Sequence, residues 1–583
     1  MAILDKLHFD RETTNDTNTV SMVEQPTIRT MADAIAPSND DIETGFPGDL
    51  KQNDAVPDPD AQLGVRKMEA AALAWSKKSL AALLCLLVPF VTSSFQSHSL
   101  LTVINVVADA MTAAIYIPMA KMLDVWGRAE GFLLMVCFST LGLILMAASH
   151  DLATFCAAQV FYSVGFSGLI YTIVVLAADA TNLRNRGLAF AFTSSPYMIT
   201  AFAGSKAAEG FLLNVSWRWG FGAFAIILPF VTVPLYLVLK SAESKAKKQG
   251  ILYSESSGRS IGQRIWHVIV QFDLPGVMLF AGGFTVFLLP FTLARSAPNG
   301  WKTDYIIAMI VVGFVVLVLF AIYQVYIAPA PFLKNKFLTN RTVVGACLID
   351  ATYQMSYYCW NSYFTSFLQV VNNLSVSEAG YVNSTFQVVS GVLLFIVGYL
   401  IRRTGRFKWL FYIAVPLYIF AQGLMIYFRR PNQNIGYIVM CEIFISIAGS
   451  IFILCVQLAV LAAVDHQYVA AVLAVLFVSG TIGGAVGNAI SGAIWTNTFE
   501  SALERFLPAD ALPELATIYA SLPVQLSYPV GSPVRLAIQE AYGYAQTRML
   551  AAGTGIMVLC FVWILLLQNF NVSKMSQTKG VVF

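Results

Sequence analysis

Long apolar stretches recur from residue 79 to residue 568 of this chain, each close to the ~20 residues that a helix needs to cross a hydrocarbon core. They lie near 79–97, 101–120, 131–149, 153–178, 188–207, 218–240, 274–294, 304–327, 342–364, 380–401, 408–428, 434–458, 467–495 and 549–568, fourteen in all. A chain of 583 residues could otherwise hold about four soluble domains. Its charge excludes that reading. Asp, Glu, Lys and Arg make up 12% of the residues and apolar types 57%, against roughly 25% charge in an ordinary soluble domain. Too little polar surface remains to coat a globule of this size, so an all-α polytopic membrane protein is expected.

The order of the spans suggests a division into segments. Residues 1–75 form an acidic tail, with 13 acids against 4 bases in the first 63 residues, and are expected to be disordered. Residues 76–240 carry six spans, 241–273 a linker, 274–327 two inserted spans, and 328–568 six more; 569–583 form a C-terminal tail. The acidic tail lacks a basic segment followed by an apolar one, so no cleaved leader is expected. Lys121, Arg128, Arg184, Arg186, Lys245, Lys247, Lys248, Arg259, Arg264, Lys334, Lys336, Arg341, Arg402, Arg403, Arg406 and Lys408 all fall in even-to-odd connections. That bias places those loops and both termini in the cytoplasm. The long connection at 498–548 then lies outside, as a partly helical cap or as a lid that captures substrate.

Several chemistries are disfavoured. All eight cysteines lie in apolar spans, which argues against a disulfide framework or a Cys-based metal site. The five histidines show no ligand spacing. Neither a Gly-Lys-Ser/Thr phosphate loop nor a G-x-S-x-G elbow occurs, so ATP-driven pumping and hydrolysis are not expected. No enzymatic activity, cofactor or nucleic-acid partner follows from the sequence. Energy is expected to come from the membrane gradient.

Two short loops carry more information. Residues 120–130 read AKMLDVWGRAE and residues 398–408 read GYLIRRTGRFK. Both follow an apolar run and place Gly-Arg three residues after a charged position, but Asp124 in the first is matched by Arg402 in the second. With six spans, two inserted spans and six more, the loops occupy equivalent corners of an internal duplication. Parallel repeats of this kind are typical of major facilitator transporters, with the substrate site between the halves near the midplane. The first loop resembles the superfamily signature G-x-L-x-D-R-x-G-R-[KR], with Ala120, Met122, Val125 and Ala129 departing from it. The second fits the same frame at Gly398, Leu400, Arg403, Gly405 and Arg406.

The resemblance extends over most of residues 75–570. LDVWGRAEGF, ATNLRNRGLAFAFTSSP, WRWGFGAFAIILP, FLTNRTVVGACLID, SYFTSFLQVVNNLSVSEAGY, IRRTGRFKWL and GGAVGNAISGAIW together resemble the fungal siderophore–iron transporters, fourteen-helix major facilitators. That resemblance implies secondary import of intact ferric siderophores with protons, through a monomer in the plasma membrane, with cycling through endosomal vesicles left open. The lipid bilayer and protons are the other partners, and the siderophore supplies the ligands of its own iron. A fourteen-helix drug or metabolite/proton antiporter is the alternative. Antiporters carry G-x-x-x-G-P-x-x-G-G in span five, whereas Pro196, Gly204 and Gly210 here lack that spacing.

Candidate site residues follow from periodicity and cost. In span nine, Asp350, Tyr353, Tyr357, Trp360 and Phe364 recur at steps of 3, 4, 3 and 4, so they share one helical face, flanked by Gln354 and Asn361. An aromatic and amide wall suits a bulky, largely uncharged ferric hydroxamate; an interfacial aromatic belt is the other reading, for Trp360 and Tyr363 above all. Gln96, His98, Asn105, Tyr116 and Gln387 are further pocket candidates. Acids inside spans are costly and default to function, which makes Asp109, Asp350 and Glu442 the candidates for proton coupling. The candidate gate comprises Asp124, Gly127, Arg128, Arg184 and Arg186 with Arg402, Gly405 and Arg406. Glycine permits the tight turn, and Asp124 is expected to pair with Arg184 or Arg186.

Overall fold

The computed structural model describes residues 101–150, 152–195, 214–248, 272–294, 297–329, 339–465 and 468–575, with scattered positions between these stretches. The first expected span, the acidic tail, Gln96, His98 and the chain from residue 576 lie outside the described residues, as does most of the 241–273 linker.

The main helices in chain order are α1 (Leu101–Val125), α2 (Arg128–Ala148), α3 (Leu152–Asp179), α4 (Leu183–Ser194), α5 (Trp217–Lys248), α6 (Leu274–Leu288), α7 (Asp304–Ile322), α8 (Arg341–Asn361), α9 (Thr385–Thr404), α10 (Lys408–Phe428), α11 (Ile435–Ala462), α12 (Val469–Phe506) and α13 (Pro533–Met557). They occupy the places of expected spans two to fourteen. Among the described residues, eleven helices are long and apolar enough to cross a membrane. α8 is long enough but not among them, because Asp350, Gln354, Ser356 and Asn361 dilute its apolar content. α7 exposes Val311, Phe314, Val315, Val318 and Leu319, the surface a lipid-facing helix presents.

Local chemistry sets the helix ends. Asn340 caps α8 by accepting from the amides of Thr342 (3.0 Å) and Val343 (3.4 Å). Gly127 (φ 118°) and Gly405 (φ 69°) both turn through positive φ between an incoming and an outgoing helix. The connection between the last two spans is shorter than the 498–548 expected. Phe499, Ala502 and Leu503 continue the buried face of α12 to Phe506, and α13 already begins at Pro533 under a Ser532 cap. Residues 507–532 fold into short turns of helix, Leu515–Ala520 and Leu522–Ser527. Arg535 fastens this cap, donating to the Gln525 carbonyl and, across the bundle end, to Gln369 O and Asn373 Oδ1, each at 3.3 Å.

Packing depends on close approach of backbones. The run TIGGAVGNAISGA places glycines of α12 against α8. A Cβ on Gly483 would lie 2.2 Å from the Ala351 carbonyl oxygen, and one on Gly487 would lie 2.8 Å from that of Met355. Small residues at interfaces let membrane helices pack by van der Waals contact, since lipid tails supply no hydrophobic drive. At the end carrying Arg128, Arg186 and Arg402, α4 and α9 meet through Gly187 and Gly398, where a Cβ on Gly398 would come within 3.1 Å of the Gly187 backbone.

The inserted pair α6 and α7 is clasped at Asp273. Its carboxylate accepts from Tyr323 Oη (2.8 Å), Gln324 Nε2 (2.5 Å) and the Gly276 amide (3.3 Å). α6 also packs along α1, and Phe272 meets Trp126 of the α1–α2 loop at a tilt, with ring centroids 5.5 Å apart.

Replacing Gly483 with valine tests the packing. Overpacking costs ~1–3 kcal/mol where neighbours can give, and here the obstacle is backbone. Gly483→Val is expected to lower the melting temperature of the detergent-purified chain by several degrees, whereas Gly282→Ala, which meets nothing within 4 Å, leaves it unchanged.

Candidate functional site

A cavity of ≈ 390 Å³ opens where α1 and α3 face α8, α11 and α12. Asp109, Thr112 and Tyr116 of α1 line one side, and Asp350, Gln354 and Tyr358 of α8 the other. Gln457, Phe477, Thr481 and the glycines of α12 complete the wall. This volume falls within the range of small-molecule sites.

The cavity joins two acids from opposite sides of the duplication. Asp109 Oδ2 accepts from Asn488 Nδ2 of α12 at 3.0 Å. Asp350 has no hydrogen-bond partner among the described residues and rests against Gly480, where a Cβ would lie 2.3 Å from its Oδ2. Tyr116 stands within electrostatic reach of both carboxylates and packs edge-on to Tyr171 and tilted to Phe477, at 5.6 and 5.4 Å between centroids. No Lys, Arg or His is among the described residues lining this space. Its field is therefore negative or neutral, according to how many protons the two acids hold.

Of the residues singled out on α8, the structure brings Asp350 and Gln354 to the cavity. Tyr353, Trp360 and Phe364 lie buried behind it. Tyr353 packs on Phe452 (5.1 Å) and Tyr418 (5.7 Å), and Trp360 Nε1 donates to Tyr418 Oη at 3.2 Å. Tyr357 is half-buried and accepts at its hydroxyl from Asn361 Nδ2 (3.2 Å). At 100° per residue, Asp350 sits on the edge of the aromatic stripe; Gln354 and Tyr358 turn to one side of it and Tyr353 and Trp360 to the other. The periodicity identified a stripe without saying which edge faced the space. Gln387 of α9 keeps its amide oxygen buried and unpartnered. Thr112, Ser167, Tyr358, Gln457 and Thr481 were missed; Gln457 carried a signal, as an amide late in the apolar run of α11.

At the basic end, Arg128 is buried and fully engaged. Its Nη1 donates to Asp124 Oδ1 (3.1 Å) and to the Leu123 carbonyl (2.7 Å), while its Nε donates to Asp179 Oδ2 (3.1 Å). Asp124 thus pairs with Arg128, the residue directly after the Gly127 bend. Arg186, also buried, donates through Nη2 to the carbonyls of Ala178 (2.8 Å) and Thr181 (3.1 Å), closing the end of α3. Arg184 is exposed. Glu130 meets Lys240 of α5 at 2.5 Å. The equivalent corner differs: Arg402, Arg403 and Arg406 are exposed, and the chain after α13 docks there, with the Val572 amide donating to Gly405 O (2.8 Å) and Lys408 Nζ to Leu567 O (2.7 Å). Among the described residues no cluster of His, Cys, Asp or Glu is arranged to hold a metal ion.

Residues 79–488 match the Major Facilitator Superfamily. The chain is 67% identical over 579 residues to the siderophore iron transporter mirB of Emericella nidulans, covering 96% of this chain and 95% of that one. It is 59% identical to the siderochrome iron transporter B of Aspergillus fumigatus, over 94% of each chain. Identity to the siderochrome iron transporter 1 of Gibberella zeae is 62%, over 92% of this chain and 91% of its relative. The protein belongs to the fungal siderophore–iron transporter family of the major facilitator superfamily, a family of transporters and not of enzymes.

Two substitutions separate the acids by role. Arg128→Ala leaves Asp124 and Asp179 facing each other in a buried corner, and removing one partner of such a set costs ~3–5 kcal/mol. Loss of most folded protein is expected by fluorescence-detected size exclusion. Asp350→Asn removes an unpaired charge, so normal surface expression is expected, with accumulation of labelled siderophore reduced towards the equilibrium level. Wild-type accumulation by Asp350→Asn would remove that carboxylate from the mechanism.

Proposed function

We propose that this chain is a secondary active importer of ferric hydroxamate-type siderophores, working by proton symport with alternating access in the plasma membrane. The observation that carries the reading is the cavity in which Asp109 and Asp350, from opposite sides of the duplication, share one space. A proton taken up by either acid changes the charge at the seam that must open and close, so loading and conformational change are linked.

The lining supports the substrate class. A ferric trihydroxamate is bulky, uncharged at its metal centre, edged by carbonyl oxygens and flanked by aliphatic chain. Gln354 and Gln457 with Thr112 and Thr481 provide hydrogen-bonding groups, and Tyr358, Phe477 and Ile453 provide apolar surface. Tyr353, Tyr357, Trp360 and Phe364 form the rigid wall behind Gln354, with Asn361 and Gln387 at its rim. The iron is cargo, held by the siderophore, and needs no ligand from the protein. The names of the curated relatives agree with this cargo.

In this reading the basic end is cytoplasmic and both termini lie there. The Arg128–Asp124–Asp179 set, with Gly127, Arg184 and Arg186, gates that face from one half; Arg402, Gly405 and Arg406 form the matching corner of the other. The protein acts as a monomer.

Uptake in a yeast host lacking its own siderophore carriers tests the proposal, with one ⁵⁵Fe-labelled ferric siderophore per assay. Concentrative uptake of trihydroxamates that a protonophore abolishes is expected. Outward movement of the label, or uptake indifferent to the protonophore, would overturn it in favour of export or facilitated diffusion.

A further inference from the structure

One charged pair in the interior lies off the cavity. Glu442 of α11 is completely enclosed, and neither of its carboxylate oxygens has a hydrogen-bond partner. Four groups face it. Tyr357 of α8, Arg429 at the end of α10 and Cys441 of its own helix lie within electrostatic range of it. The Thr385 hydroxyl of α9 approaches without closing a hydrogen bond.

Arg429 is its electrostatic complement but is held short of it. The guanidinium is fully buried, donates through Nη1 to the Trp360 carbonyl at 2.5 Å, and lies over the Phe364 and Phe367 rings at 4.3 and 5.3 Å. Its Nε and Nη2 have no partner. A structural ion pair would close the contact and satisfy both groups, because unpaired charges in a low-dielectric interior are expensive. Here two donors of one and both acceptors of the other are left without partners among the described residues. That arrangement suits a carboxyl that alternates between holding a proton and being neutralised by a nearby cation.

A path leads from this pair to the cavity. Tyr357 stands within electrostatic range of Glu442, and its ring centroid is 6.4 Å from that of Tyr353. Tyr353 is in turn an electrostatic neighbour of Asp350. The three α8 residues fall on one side of the helix within about two turns, ~10 Å of rise. Glu442 sits near the α11 end that shares the capped face of the bundle with Arg429, away from the basic end.

We infer that Glu442 and Arg429 form a proton-entry station that loads Asp350 through Tyr357 and Tyr353, separate from the route taken by the siderophore. The inference rests on the proton-symport reading above. In the transfer, the Glu442 carboxyl gives its proton to the Tyr357 oxygen, by way of water where the gap requires it. The phenolic proton of Tyr357 passes to Tyr353, and that of Tyr353 to the Asp350 carboxylate. Both tyrosines end neutral, Asp350 is protonated, and the Glu442 carboxylate left behind is balanced by Arg429 until it is reloaded from the capped face. One proton moves and no electron does.

The full-length chain in proteoliposomes tests this with the ⁵⁵Fe-labelled trihydroxamate that the wild type carries best. Two measurements are compared: uptake driven by an inward proton gradient, and exchange of label at equal pH and equal concentration, which requires no net proton transfer. For Glu442→Gln, gradient-driven accumulation is expected to fall about tenfold and to lose its pH dependence, while exchange stays within about twofold of wild type. Glu442→Asp should recover part of the driven phase, and Tyr357→Phe should slow it. Gradient-driven accumulation by Glu442→Gln equal to wild type overturns the station, as does parallel loss of exchange, which marks a structural residue. If the wild type itself shows no proton-driven phase, the symport reading falls, and the station with it.

Discussion

A charge inside the hydrocarbon span must be paired, solvated or used, and this constraint organises the whole molecule. Arg128 illustrates the first case: two carboxylates and a carbonyl enclose it, so the α1–α2 corner can be buried without an exposed bend. Asp109 and Asp350 illustrate the second, opening to a cavity that the glycine face of α12 leaves beside α8. Glu442 and Arg429 are the third, enclosed and near each other without a closed contact. Tyr353, Trp360, Tyr418 and Phe452 pack into one aromatic cluster behind the cavity.

The duplicated corners show how one motif serves two ends. Gly127 and Gly405 both turn the chain at positive φ, in different backbone conformations (ψ 162° and 3°). Around the first, opposite charges allow burial. Around the second, all the charges are positive, so they remain in solvent and the backbone is held instead by the chain beyond α13 at Val572 and Leu567. The sign reversal between Asp124 and Arg402 therefore separates a corner locked by ion pairs from one locked by main-chain hydrogen bonds.

Much of this architecture was readable in the residues. Spans are legible because hydropathy over ~20 residues is a strong signal, and the paired loops fixed the internal repeat. The end of α12 was not, since FESALERF is polar enough to look like loop while Phe499 and Leu503 bury a helical face. The site was half legible. Acids inside spans stood out by cost, and Asp109 and Asp350 do meet in one space. The stripe on α8 was visible, but periodicity alone does not say which of its edges faces a cavity, since that depends on α1 and α12, far away in sequence. That Arg128 pairs with Asp124 was missed for a similar reason. Arg128 lies across a positive-φ glycine, and only the bend brings it back onto the carboxylate.

The central claim is that the siderophore binds between Asp109 and Asp350, inside the seam of the duplication. The most direct measurement is an electron cryomicroscopy structure of the full chain with a bound ferric trihydroxamate, with the position of the iron read from the density. The iron centre is expected within the cavity bounded by α1, α8 and α12, with Gln354 and Tyr358 against the ligand. Iron density seated only on the 507–532 cap, or in the space beside Glu442, would contradict it.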